Sequence, residues 1–293
     1  MNRAGPDEPV TRAQARLALA HRLAAVSDTP DLEARWLLQH VLGLSDAQLI
    51  IAGDRPLAQA EQVHLAECAA RRLAGEPLAY VLGRVGFWSL DLAVTPDVLI
   101  PRPDTETLVE TVLARLPADR PLQIVDLGTG SGAVALALAR ERPHWRLTAT
   151  DRSDSALSVA RGNAARLGLG HVTFAAGDWF GAIEGRRFQA IVSNPPYIAE
   201  GDAHLPALAH EPLTALVAKD NGMADLATLA AGAAAHLEPG GWLLVEHGLD
   251  QGHAARQLFR NGQLSEVATV DDLAGRPRVT VGRRVGSDDT SHV

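Results

Sequence analysis

The sequence predicts an α/β fold: an open, mostly parallel sheet that follows a small N-terminal helical bundle. Three observations carry this. From Gln123 onward, short apolar runs alternate with helical periodicity, the rhythm of strand–helix–strand units. A glycine-dense turn, Gly128-Thr129-Gly130-Ser131-Gly132, stands between the first of these runs and the first of these helices. Before residue 75, by contrast, apolar residues recur at helical spacing.

The totals narrow the classes. A chain of 293 residues that is 46% hydrophobic can bury a large core in one or two domains. Its net charge is −8, and its arginine pairs (Arg71-Arg72, Arg186-Arg187, Arg283-Arg284) are scattered, so no basic stripe for a nucleic-acid backbone is visible. A single cysteine, Cys68, excludes an internal disulfide and, on this reading, a cysteine-based zinc site; its helical apolar position reads as core. The 11 histidines show no metal spacing and no His-x-x-x-His pair on one helix face, so no metal is expected. Met1 to Val10 is polar, without the apolar stretch of a signal peptide. The longest apolar stretches, such as Leu226 to Leu237, fall short of a membrane span. A soluble cytoplasmic protein is the expectation.

Taken in order, residues 1 to about 10 read as loose. Thr11 to Leu73 is helical: Ala34, Leu37, Leu38, Val41 and Leu42 share a face, with Gly43 as a stop, and Ser45 caps a short helix through Ile51. Nothing in this bundle points to chemistry, so docking or structure is its expected role. Gly75 to Gly86 reads as a linker, and Gly86 to Val94 alternates as a hairpin strand. Asp104 and Thr105 start a helix to about Arg115. Strands follow at Gln123–Leu127, Arg146–Thr150, His171–Ala175, Ala190–Val192, Trp242–Glu246, Glu266–Val270 and Arg278–Gly282. Helices lie between them at Ala133–Arg140, Ser153–Leu167, Met223–His236 and Gln251–Arg260. Ile198 to Asn221, with Pro206 and Pro212, reads as an active-site loop, and residues 287–293 as a frayed tail.

Four features fall at successive strand ends, where open α/β sheets bind ligands. The glycine turn allows close approach to a ligand and offers free N–H groups at a helix start. Asp151 ends the second strand, where a carboxylate can accept both ribose hydroxyls of a nucleoside. Asp178 and Trp179 follow the third and suit an adenine ring. The fourth strand runs into Asn194-Pro195-Pro196-Tyr197. Two prolines end strand pairing, and Asn194, preceding one, is pushed to extended geometry. The result is a rigid kink that presents an amide, backbone carbonyls and an aromatic ring, a device suited to gripping a planar amide or amine. The glycine turn alone also fits a dinucleotide dehydrogenase, but that reading gives Asn194 to Tyr197 no role, and S-adenosylmethionine is the preferred cofactor.

These features do not stand alone. Tyr80-Val81-Leu82-Gly83, Phe87-Trp88-Ser89-Leu90, Leu99 to Glu106 (Leu-Ile-Pro-Arg-Pro-Asp-Thr-Glu), Asp126 to Gly132, Asn194 to Tyr197, Glu211-Pro212-Leu213, Glu246-His247-Gly248 and Asp272 to Arg276 occur in this order. The set resembles the peptide chain release factor N5-glutamine methyltransferase family (PrmC/HemK). The resemblance implies a seven-stranded, Rossmann-like class I methyltransferase sheet behind a helical domain. It implies methylation of the glutamine side-chain amide in the Gly-Gly-Gln motif of release factors. It implies cofactor contacts from Gly128, Thr129, Gly130, Ser131, Gly132, Asp151, Asp178, Trp179 and Asn194, and substrate contacts from Asn194, Pro195, Pro196 and Tyr197. The expected domains are a helical docking domain (1–75), a linker with a hairpin (76–101), and a methyltransferase domain (102–286).

The catalytic expectation rests on Asn194, Pro195 and Tyr197. An amide nitrogen is a weak nucleophile because its lone pair is delocalised. If the Asn194 side-chain oxygen and the Pro195 carbonyl accept its two hydrogens, the pair is aimed at the methyl donor while Tyr197 packs on the amide plane. His247 could line the pocket but reads better as structural. Arg102 could steer an acidic or phosphate-bearing partner but reads better as a loop brace pairing with Glu106 or Asp104. The rival readings are a glutamine methyltransferase for a ribosomal protein, a DNA adenine-N6 methyltransferase that flips its base, and a module that only senses S-adenosylmethionine. The chain is expected to act as a monomer.

Overall fold

The computed structural model describes residues 10–286, and the readings of a loose start and of a frayed tail at 287–293 lie outside them. The chain divides into two compact units after Gly83. The first unit is helical: α1 (Arg12–Leu23), α2 (Pro30–Leu42), α3 (Asp46–Ile51), α4 (Gln59–Leu73) and α5 (Leu78–Leu82). The expected stop at Gly43 holds, with the glycine at φ 63° capping α2, and Ser45 caps α3 reciprocally with Gln48. Leu19, Leu23, Leu37, Leu38, Leu65 and Cys68 form its core. A part-buried ion pair, Arg72 with Glu33 (2.7 Å), ties α4 to α2. Residues 78–82, expected as linker, are helical instead. Pro77 presets the entry, Gly83 (φ 68°) closes the turn, and Val81 is buried in the same core.

The second unit opens with a hairpin, β1 (Arg84–Phe87) and β2 (Leu90–Ala93), turning at Trp88 and Ser89. Helix α6 (Glu106–Arg115) precedes the sheet. The alternation then runs β3 (Gln123–Leu127), α7 (Ala133–Glu141), β4 (Arg146–Asp151), α8 (Asp154–Arg166), β5 (Thr173–Ala176) and β6 (Phe188–Ser193). A small pair, β7 (Ile198–Ala199) and β8 (Val217–Ala218), crosses the segment read as irregular and leads to a one-turn α9 (Lys219–Gly222). The chain closes with α10 (Ala224–His236), β9 (Leu237–Glu246), α11 (Gly252–Asn261), β10 (Leu264–Asp271) and β11 (Pro277–Arg284).

Seven strands form one sheet in the order β10-β11-β9-β6-β3-β4-β5. The pairs from β9 to β5 are parallel, and β11 runs antiparallel to both of its neighbours. The near-continuous apolar strands follow from burial on both faces. Ile124, Ala190, Val192 and Leu244 meet Leu108, Val112 and Leu136 on one side. Val125, Ile191, Leu243 and Val245 meet Leu226, Leu229 and Phe259 on the other. The chain runs outward from β3 through β4 to β5, then returns to the other side of β3 as β6. The order therefore reverses between β3 and β6, and a crevice opens at their carboxyl ends.

Candidate active site

A cavity of about 300 Å³ occupies that crevice. Gly128, Thr129, Gly130 and Ser131 line it from the end of β3, Asp151 from β4, Asp178 and Trp179 from β5, and Asn194 and Pro196 from β6. The glycine turn is held in place by its backbone. The N–H groups of Gly128 and Thr129 donate to the Thr150 carbonyl at 2.9 and 2.8 Å. Gly128, Gly130 and Gly132 all sit at positive φ (75°, 54° and 86°), where a side chain would be strained. Around Gly130, the place a Cβ would occupy is open space. Gly132 has another task. It lies outside the cavity lining, and a Cβ there would press on Leu136 at 2.9 Å, so it lets α7 start close against its neighbours.

Two acids anchor the turn. Asp126 is buried and accepts from the Thr129 hydroxyl (2.7 Å) and the Ala135 N–H (3.2 Å), coupling β3 to the start of α7. Burial pushes its pKa up to about 6, opposed by those two hydrogen bonds. Asp151 accepts one N–H per oxygen, from Gly130 (2.9 Å) and Ser153 (2.9 Å). Each of its oxygens keeps a second lone pair free, and the residue lines the cavity. Trp179 sits at φ 42°, an unusual conformation for a bulky residue. Its ring lies against Gly128, and its indole stands near the Asp225 carboxylate.

The Asn194 to Tyr197 stretch is held by distant side chains. Asn194 Nδ2 donates to the Thr105 hydroxyl at 3.1 Å. Pro195 is buried, and the Tyr197 hydroxyl donates to Glu246 Oε1 at 3.3 Å. Neither Pro195 nor Tyr197 joins the lining of the cavity itself. Glu246, at the end of β9, is 1% exposed, and the Thr105 hydroxyl stands against the same carboxylate. Burial raises the Glu246 pKa to about 7, offset in part by Thr105, the Arg278 guanidinium and Tyr197. Burial also raises the Tyr197 phenol well above its ordinary range, with the Glu246 charge adding to the shift. The Tyr197 carbonyl accepts from Gln251 Nε2 at 2.9 Å, and Gln251 Oε1 accepts from the Gly248 N–H at 2.8 Å. Gly222 (φ 82°) completes the brace, since a Cβ there would collide with the Tyr197 carbonyl oxygen.

One expectation changes here, the partner of Arg102, while His247 keeps the structural reading. Arg102 does brace a loop, but its partner is buried Glu211, 109 positions on, rather than Glu106 or Asp104. Glu106 instead accepts from the Trp88 N–H (2.7 Å), and Asp104 pairs with Arg278 (3.0 Å). His247 is wholly buried and is not part of the lining of this cavity. Its Nδ1 lies 2.8 Å from the Gly248 carbonyl and its Nε2 lies 3.0 Å from the Thr280 hydroxyl, so it is a structural histidine. Thr105, read only as a helix start, makes no capping bond and serves Asn194. The hydroxyl residue beside a helix start and the acid at the end of β9 gave the only sequence signal for this support.

Comparison with known proteins supplies the context. Residues 6–83 match the PrmC N-terminal domain family, and residues 103–219 match the Methyltransferase small domain family. A release factor glutamine methyltransferase of Coxiella burnetii is 47% identical over 91% of this chain and 96% of its own length. The Escherichia coli protein of the same name is 46% identical over 88% and 93%. Among solved structures, a methyltransferase from Pyrococcus furiosus shares the fold at TM-score 0.53 and 18% identity, covering 75% of this chain and 99% of that one. A 16S rRNA N2 G1207 methyltransferase of T. thermophilus, solved with AdoMet and guanosine, does so at TM-score 0.52 and 22% identity, over 69% of this chain and 49% of that one.

Proposed function

The chain belongs to the release factor glutamine methyltransferase family, and from that premise we propose how its residues divide the reaction. It methylates the side-chain amide nitrogen of the glutamine in the Gly-Gly-Gln motif of peptide chain release factors, using S-adenosylmethionine. The residues present suit that cofactor: open space over Gly130, a carboxylate at Asp151 with lone pairs to spare, and an aromatic wall at Trp179. Gly128 to Ser131 hold its amino-acid and sugar portions, Asp151 takes the ribose hydroxyls, and Asp178 with Trp179 takes the adenine. When bound, the cofactor supplies an electrophilic methyl on a sulfonium.

The chain's own task is to present the amide nitrogen. The single observation that carries the assignment is the Asn194–Thr105 hydrogen bond. With Nδ2 engaged on Thr105, Oδ1 is left as the acceptor for one substrate N–H. The Pro195 carbonyl takes the other, and Pro196 and Tyr197 flank the amide. Two acceptors on the two hydrogens hold the amide plane and aim the nitrogen lone pair along the methyl–sulfur axis. Thr105 accepts from Asn194 and turns its own hydrogen to Glu246, so Thr105 and Glu246 are positioning residues that fix which end of the Asn194 amide faces the substrate.

The finer partners follow from the same reading. The helical unit docks the release factor, the chain works as a monomer in the cytoplasm where release factors act, and it needs no direct nucleic-acid contact. No described helix is long and apolar enough to cross a membrane. The test is to incubate the chain with methyl-labelled cofactor and, separately, purified release factor, a ribosomal protein mixture and duplex DNA. Label in the release factor glutamine alone is expected; label in a ribosomal protein or in DNA, with none in the release factor, would overturn the substrate assignment.

A further inference from the structure

We propose that His40, His64 and Cys68 form a transition-metal site of the zinc type that joins α2 to α4 in the helical unit. The lone cysteine rules out a disulfide within the chain, but it does not rule out a mixed ligand set, and the fold assembles one. His64 and Cys68 are four residues apart on α4 and so share a face. His40 comes from the last turn of α2. One ligand atom from each of the three lies within 4.8 Å of the other two. The two imidazoles are 5.8 Å apart between centroids and inclined at 64°, an edge arrangement rather than a stack.

The distances decide how much must move. Metal–nitrogen bonds of about 2.1 Å and a metal–sulfur bond of about 2.3 Å at tetrahedral angles put donors about 3.5 Å apart. Closing from at most 4.8 Å to that spacing takes about an ångström of movement. Both histidines are exposed, whereas Cys68 is 3% exposed and fixed at the base. Two imidazoles and a thiolate form a borderline-soft set that suits zinc, cobalt, nickel or copper, and disfavours magnesium and calcium, which want oxygen ligands. On binding, the Cys68 S–H bond breaks, its proton goes to solvent, and the sulfur forms the bond to the metal. The fourth position faces water, since the exposed side of the cluster is the histidine side.

A cross-link here has a physical use. Within residues 10–83 the apolar core is small, and small helical units are commonly stiffened by a metal or a disulfide. Besides the part-buried Arg72–Glu33 pair, such a clip would hold α2 and α4 together at a second point.

The experiment uses the full chain without a polyhistidine tag. Cobalt(II) is titrated in and absorbance is read for tetrahedral ligand-field bands and a thiolate-to-cobalt charge-transfer band; zinc is then added as competitor. One ion per chain is expected, with the charge-transfer band present and zinc displacing cobalt. Cys68→Ala should abolish that band. His40→Ala and His64→Ala, both at exposed positions, should each weaken binding by at least about tenfold, since even partners behind the ligands are worth roughly 10- to 100-fold. Zinc should raise the Tm of the parent chain by more than that of His40→Ala at the same zinc concentration. A cobalt complex without the charge-transfer band, or binding unchanged in all three variants, overturns the proposal. Methyl transfer is not a readout here, so the result is independent of the reading of the active site.

Discussion

The two sides of the cavity are built by opposite means. The side at Gly128 to Gly132 is made of backbone. Its donors are main-chain N–H groups, its shape comes from positive φ, and its supports lie close in sequence or on the neighbouring strand β4. The side at Asn194 to Tyr197 is made of side chains drawn from far away: Thr105 from 89 positions upstream, and Glu246 and Gln251 from 49 and 54 positions downstream. The difference matches the two jobs we propose for them. A cofactor that binds with many contacts tolerates a loop-built cradle. A nucleophile that must be aimed needs its grip locked from several directions at once.

The largest expected effect breaks the second side alone. Asn194→Ala removes the acceptor that aims the amide and should lower kcat by about 10²–10³-fold, the scale for losing one well-placed polar group in a reacting site. Cofactor affinity, measured separately by calorimetry, should change little. Near-normal turnover would mean that Asn194 does not orient the nucleophile. Asp151→Ala breaks the first side instead. Losing even one hydrogen bond to a charged acceptor, at about 1.5–3 kcal/mol for a bond of that kind, should weaken cofactor binding by about 10- to 100-fold or more. Turnover at saturating cofactor should fall far less. If the two variants gave the same pattern, the division between the sides would collapse.

Thr105→Val tests whether the grip is set from behind. Valine keeps the shape and removes both the acceptor for Asn194 Nδ2 and the donor toward Glu246. We expect kcat to fall about tenfold, the worth of about 1.4 kcal/mol, with KM for the release factor little changed. Thr105→Ser, which retains the hydroxyl, should restore most of the rate. A merely structural role would be insensitive to that distinction, and equal rates in Val and Ser would remove Thr105 from the mechanism.

How much of this was legible follows the same division. The sheet, its mostly parallel order and the glycine turn are local patterns, so periodicity and punctuation reveal them. Gly128 and Gly130 mark backbone positions that need positive φ, and Asp151 ends a strand at the wall of the cavity. Gly132 was legible as part of the turn but not as the packing point for Leu136. The supports of Asn194 were hidden because each has a plainer local reading. Thr105 looks like a helix start, Gln251 like the start of another helix, and Glu246 like a strand terminus. Only the crossing of β6 between β3 and β9 brings Thr105 and Glu246 to the same kink. Arg102 misled for the same reason: the nearest acids in sequence, Asp104 and Glu106, are taken by Arg278 and the Trp88 N–H, and the buried Glu211 is what it meets. Residues 78–82 misled because glycines and a proline mark the ends of a short helix as readily as a linker.

The smallest expected effect concerns stability, and it asks whether Glu246 is held for charge or for shape. Burial raises its folded-state pKa to about 7 from an ordinary 4.5. Between those values the folded chain holds a proton that the unfolded chain has released, so the stabilisation from keeping it protonated is complete below about pH 4.5 and fades as pH rises through about 7. Glu246→Gln cannot lose that proton. The stability of the parent minus that of the variant should therefore fall as pH rises from about 4.5 to 7. The change should be at least about 1.4 kcal/mol, the equivalent of a tenfold difference in proton affinity between the folded and unfolded chains. It is read by urea unfolding of the ligand-free chains at a series of pH values. Asp126, raised to about 6 by its own burial, contributes a slope of the same sign, but it is present in both chains and cancels from the difference. A difference that instead grows with pH would mean that Arg278 wins over burial and that Glu246 is ionised in the folded chain. In that case the charge itself, rather than a neutral hydrogen-bonding shape, orients Thr105 and Tyr197.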